Sequence, residues 1–222
     1  MRINPVIKEI IEWVVCILIA VAIAFLVRFY IGTPTVVESI SMEPTLYAGQ
    51  RLWVNRWGRT TKQLPKRGEI ITFEAPTENY NDEEDGEGNT INKEKHLENP
   101  TAIYSYEPKS LIEKFFYNVV EYGKVSYIKR VIALPGEHIQ IKDGKVYING
   151  EELQEEYLPE GTGTHSSGGQ FIDLIVPEDT VFVMGDNRGN SGDSRMFGCI
   201  PYDKIEGKVV LRFWPLNAFG TV

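Results

Sequence analysis

Val125-Ser126-Tyr127-Ile128-Lys129-Arg130-Val131-Ile132-Ala133-Leu134 is the strongest strand signal in the chain. β-branched and aromatic side chains suit a pleated, packed surface, and Lys129-Arg130 alone breaks the mostly apolar run. Leu134-Pro135-Gly136-Glu137 then turns the chain, and Ile139–Gly150 follows as a hairpin around Asp143-Gly144 with an Asn149-Gly150 exit. Further strands are expected at Phe171–Ile175, Thr180–Met184 and Lys208–Trp214. On the other side, Gly49–Asn55 reads as a turn and short strand, and Ile70–Phe73 as a strand that Pro76 ends. With 20 glycines and 12 prolines among 222 residues, these runs predict a mostly β body built of antiparallel sheet. That length holds one or two domains with a real core.

Residues 77–124 interrupt the strand series and look like an insertion. Thr77–Pro100 carries eight acids against two lysines and has no hydrophobic period, which predicts a mobile loop. Pro108-Lys109-Ser110 then offers a helix start, with Leu111, Phe115, Val119 and Tyr122 on one face and Gly123 as a stop. The loop holds most of the net charge of −8, so the remainder is close to neutral, as suits a domain beside an anionic membrane. No basic stripe is present, which argues against a nucleic-acid partner.

Trp13–Val27 is unbroken apolar sequence, and Ile10–Ile31 contains only Glu12 and Arg28 as charges. A helix of that length spans about 33 Å, enough for a hydrocarbon core of about 30 Å. Ala20-Val21-Ala22 and Ala22-Ile23-Ala24 have the form of signal-cleavage sites, but the apolar run continues past both. A retained transmembrane helix over 10–31 is therefore expected, with residues 1–9 as a cytoplasmic tail and 32–222 as an extracytoplasmic domain. Arg2 and Lys8 precede the span and the next basic residue after Arg28 is Arg51, which sets that orientation.

Three stretches carry chemistry. Ser39-Ile40-Ser41-Met42-Glu43-Pro44-Thr45-Leu46 holds two hydroxyls two residues apart, and on a strand edge both would face one side. A plain polar strand running into a Pro-Thr turn fits the same letters. Lys129 sits inside the strongest strand, where it is either solvated or desolvated for a purpose; on the strand alone, the solvated face is the ordinary reading. Gly185–Arg195 (GDNRGNSGDSR) is more polar than a reversal requires and could position hydroxyls and buried ions, although a turn cluster also fits. His96, His138 and His165 are scattered and are read as surface or turn residues. Cys16 and Cys199 make an improbable bridge, and no metal-ligand spacing occurs, so no cofactor is expected. A serine without a histidine needs another base, and a neutral lysine serves if burial brings its pKa from about 10.4 to about 7–8.

S-x-S-M-x-P-T-L, Y-I-K-R-x-x-x-L-P-G-E and G-D-N-R-x-x-S-x-D-S-R, in this order behind an anchor, closely resemble bacterial type I signal peptidases. These are Ser/Lys-dyad membrane proteases that remove signal peptides from exported preproteins after small residues at −1 and −3. The resemblance implies an antiparallel β-sheet catalytic domain behind one transmembrane helix, with one short helix in the insertion. It makes Ser41 the nucleophile, Lys129 the general base, and Ser39 an oxyanion donor beside the Ser41 N–H. Ser191 would hold the lysine amine, Asp193 with Arg195 and Arg130 would form an ion-pair scaffold, and Asp186 and Asn187 would shape the loop carrying Ser191. Substrate would lie as an added strand between Thr35–Glu38 and Ser126–Ile128, with Val37, Met42, Leu46, Tyr127 and Ile128 lining its pockets. Ile40 stands where many members have glycine. The implied partners are signal peptides of preproteins, membrane lipid and the protein-export channel. Two other classes fit the sequence less well. A self-cleaving repressor would need a DNA-binding motif where the apolar span stands, and a membrane-anchored peptide-binding domain would have no need of a buried lysine.

Overall fold

The computed structural model describes residues 5–61, 63–76, 99–104, 108–121 and 123–222. Helix α1 (Pro5–Leu26) continues through a π-wound turn at Val27–Ile31, giving 27 residues long and apolar enough to cross a membrane. No residue of α1 is buried by the rest of the protein. Among the described residues twelve strands follow: β1 (Gly32–Val36), β2 (Arg51–Asn55), β3 (Ile70–Glu74), β4 (Ser126–Ala133), β5 (His138–Lys142), β6 (Lys145–Ile148), β7 (Glu151–Glu152), β8 (Asp173–Ile175), β9 (Thr180–Met184), β10 (Ile200–Pro201), β11 (Ile205–Trp214) and β12 (Gly220–Thr221). Among the described residues three short α-helices lie between them: α2 (Trp57–Thr61), α3 (Leu111–Phe115) and α4 (Ser194–Phe197). The expected mostly β, antiparallel architecture is what the chain adopts, with α2 and α4 in addition to the insertion helix.

The larger sheet runs β1-β2-β11-β3-β4-β9-β10, with β12 against β11, and the smaller runs β7-β6-β5-β8. β4 and β9 join the two. Neighbouring strand residues point to opposite faces, so Val131, Val181 and Val183 pack with Ile71, Phe73 and Phe197. Ile132, Phe182 and Met184 pack instead with Ile139, Ile141 and Val146 of the smaller sheet. Burial on both faces explains the near-continuous apolar lettering of β4. A third cluster, Val37, Met42, Leu46, Leu52, Val54 and Val209, lies beneath the Ser39–Leu46 segment.

The Asp143-Gly144 turn forms as expected, both residues in the left-handed region at φ 53° and 74°. Helix α3 begins with a capping box. Ser110 Oγ accepts from the Glu113 N–H, and the Glu113 carboxylate accepts from the Ser110 N–H, each at 3.1 Å. Phe116–Val120 then widens into a π turn and Glu121 goes left-handed at φ 60°, so the helical segment stops before Gly123. The side chains of Leu111, Val119 and Tyr122, and the acidic stretch 77–98 with His96, lie outside the described residues.

Candidate active site

Ser39 and Ser41 do not alternate along a strand. Ser39 is extended and caps a 3₁₀ turn over Ile40–Met42, its Oγ accepting the Ser41 N–H at 3.1 Å. A serine oxygen at an N-cap satisfies a turn amide that no strand neighbour reaches, so the pair sits on a corner. From that corner Ser41 Oγ lies 2.6 Å from Lys129 Nζ. Ser41 is 5% exposed and Lys129 4% exposed, and Lys129 stands opposite Ile71 in the β3–β4 register. The solvated-face reading of Lys129 is thus overturned. The Tyr127 ring centroid lies 5.5 Å from the same amine.

The Gly185–Arg195 loop clamps the serine turn from the other side. The Asn187 backbone N–H donates to the Ser41 carbonyl at 3.0 Å, and its side-chain amide donates to the Ile40 carbonyl at 3.2 Å. At Gly185 there is no room for a side chain: a Cβ there would stand 2.4 Å from the Ser41 carbonyl oxygen and 2.3 Å from Ser191 Oγ. The Asp193 carboxylate accepts the Gly185 N–H at 3.0 Å and takes Arg195 through two bonds of 2.8 Å. Arg195 also donates to the His165 carbonyl and to Ser167 Oγ. Arg130 does not join that pair. It grips Asp186 through Nε at 2.8 Å and Nη2 at 2.6 Å, while Thr45 Oγ1 donates to the same carboxylate at 2.5 Å. Asp186 is closer along the loop to the β4–β9 junction, where Arg130 pairs with Met184. Ser191 Oγ is buried and makes no hydrogen bond, so its expected bond to the lysine amine is not formed.

Arg188 has a role that the sequence does not disclose. It is fully buried, donates to the Gly185 carbonyl at 3.1 Å and to Thr164 Oγ1 at 2.5 Å, and pairs with Glu155. The loop's own density of charge hinted at it, but Glu155 lies 33 residues upstream and nothing local names it as the partner.

A groove of about 770 Å³ opens beside the serine and lysine. Its walls are Thr33–Glu38 on one side and Lys124–Lys129 on the other. β1 ends the sheet order, and β4 gains β9 as its second neighbour only from Arg130 onward. Two strand edges therefore flank the groove. Val36, Val37, Met42, Tyr127 and Ile128 line it, whereas Leu46 does not, being fully buried in the third core cluster.

The same groove has a charged stretch of wall: Arg28, Arg56, Glu121, Lys124 and Glu206. Glu121 takes Arg28 at 2.5 Å and also Arg56. Burial alone would raise the Glu121 carboxyl, but the hydrogen bonds and charges of Arg28 and Arg56 outweigh it and hold it below its ordinary range. Lys124 sits between Glu206 at 2.9 Å and Glu74 at 3.6 Å, and Ser126 Oγ donates to Glu206 at 3.0 Å.

Among the described residues no group of three His, Cys, Asp or Glu side chains is placed to hold a metal ion. His138 faces Asp173 at 2.6 Å on the smaller sheet and His165 is exposed. Cys16 and Cys199 are both free thiols, and burial pushes the Cys199 thiol up to about 12.

The family model described as signal peptidase, peptidase S26, matches residues 10–214. The chain belongs to the signal peptidase family. It is 33% identical to signal peptidase IB of Staphylococcus aureus (strain COL) over 96% of its own length and 93% of that protein. It is 34% identical to signal peptidase I P of Bacillus subtilis subsp. natto over 95% of its length and 92% of that protein. The crystal structure of a signal peptidase I from Enterococcus faecalis V583 matches 66% of this chain and 97% of its own, at 25% identity and a TM-score of 0.39. As a member of the signal peptidase family the chain is a peptidase, with one N-terminal helix suited to a single membrane crossing.

Proposed function

We propose that this chain is a membrane-bound serine endopeptidase that cuts signal peptides from exported preproteins, using Ser41 as nucleophile and Lys129 as general base. The buried 2.6 Å contact between Ser41 Oγ and Lys129 Nζ carries this reading. A neutral amine at that distance can accept the hydroxyl proton as Oγ attacks the scissile carbonyl. The resulting ammonium then returns the proton to the departing amine, leaving an acyl-enzyme. Water attacks that ester, gives its proton to the same amine, and Ser41 leaves with the proton back on its oxygen.

The developing oxyanion needs donors at the serine corner. Ser41 N–H and Ser39 Oγ converge there, since one now donates to the other. An arriving carbonyl oxygen would replace that contact and take the N–H together with the Ser39 O–H. An extended peptide could add to the flanking strand edges, with Val37, Met42, Tyr127 and Ile128 leaving room for small side chains at −1 and −3. Ser41 follows Ile31 by ten residues, which keeps the chemistry near the lipid, and Arg2 and Lys8 assign the body to the extracytoplasmic side.

The test is cleavage of a preprotein with Ala at −1 and −3 by detergent-purified protein, the cut mapped by mass spectrometry. Ser41→Ala and Lys129→Ala should each abolish it with unchanged circular dichroism; comparable activity in either variant sinks the dyad. Ser39→Ala should lower kcat about 10²–10³-fold, and an unchanged rate would leave Ser39 as a cap alone.

A further inference from the structure

Leu111–Phe115 and the turn Phe116–Val120 form one continuous helical segment. Ile112, Phe115 and Phe116 fall at i, i+3 and i+4 and share a face. That face is open: Ile112 is 72% exposed, Phe116 51% and Phe115 46%. Large apolar side chains grouped on an exposed helix mark a surface that something covers.

The segment's own attachments say what covers it. The Phe115 ring meets Phe25 of α1 edge-on, 6.0 Å between centroids. Phe25 belongs to the apolar segment that runs to Ile31, so this contact sets the helix at the depth where that segment leaves the lipid. Glu121 closes the helix onto Arg28, at the end of the same segment, and onto buried Arg56 of the β domain. The Tyr117 hydroxyl donates to Glu74 at 2.7 Å and ties the helix to β3. Exposed Lys109 and Lys114 flank the apolar side chains, the composition of helices that lie in the interface of anionic bilayers.

We propose that Leu111–Val120 is a second membrane contact, lying in the lipid interface with Ile112, Phe115 and Phe116 inserted. Pinned through Phe115 and Glu121, it fixes how the groove stands over the bilayer. The proposal rests on α1 spanning the membrane and is independent of the catalytic assignment.

Nitroxide labels decide it. In a full-chain Cys16→Ala background, with Cys199 buried and left in place, labels are introduced at Ile112→Cys, Phe116→Cys and Lys114→Cys. The proteins are reconstituted in phosphatidylcholine–phosphatidylglycerol vesicles. Labels at 112 and 116 should collide with dissolved oxygen and lose collisions with a water-soluble nickel chelate, whereas 114 should show the reverse. Nickel access at 112 and 116 equal to that at 114 would overturn the proposal. So would exclusion of both reagents at 112 and 116, since the face would then be covered by protein. The measurement needs no turnover, so a failure of the proposed protease chemistry would leave its outcome readable.

Discussion

Ser191 holds a hydroxyl that is out of water and bonded to nothing, wedged against Gly185. A buried unsatisfied hydroxyl costs about 1–3 kcal/mol, so a purely structural serine here would be better replaced. Ser191→Ala should therefore keep or raise Tm. If the hydroxyl engages the Lys129 amine during turnover, the same variant lowers kcat with little change in KM. A fall in both stability and kcat would instead assign Ser191 to the fold. The neighbouring arginines show what residue chemistry the letters do and do not disclose. Asp193 and Arg195 are two residues apart and were legible as a pair, whereas Arg130 and Asp186 are 56 apart and were assigned to the wrong partnership. Lys129 was legible as an exception within its strand, but one strand cannot say which neighbour buries it. Ser39-Ile40-Ser41 misled because a capped turn and a strand edge accept the same residues.

Among elements, the helical segment after Ser110 shows why the insertion resisted reading. Its start followed from Ser110 and Glu113, which act locally, while its end depends on Glu121 meeting Arg28 and Arg56, 93 and 65 residues away. That ion pair has a pH signature. The Glu121 carboxyl is depressed from its ordinary 4.5 in the folded chain, so its ionised form stabilises at neutral pH. The contribution declines as pH drops below 4.5 and vanishes once pH passes the lowered value. Glu121→Gln should lower the denaturation midpoint at pH 7, and the gap to wild type should narrow as pH falls below 4.5. A gap that does not change with pH would show that the carboxylate charge is not what docks the helix.

At the scale of the whole molecule, β4 and β9 lend alternate residues to two cores. The smaller sheet therefore has no core that it could keep alone. Ile132→Ala should cost about 2–5 kcal/mol, and near-ultraviolet and far-ultraviolet circular dichroism should fall in one coincident transition. Separate transitions would show the smaller sheet melting by itself. This shared wall was the most legible part of the fold, because burial on two faces leaves a near-continuous apolar run that chance seldom writes.

If substrate adds to the two strand edges beside Ser41 as proposed, selectivity follows from the backbone alone. A partner held mainly by its amides and carbonyls must present a straightened chain, whatever letters it carries. Folded proteins keep those groups occupied internally and would be turned away, so conformation is checked before composition. Cargo that has already reached its final shape would be spared.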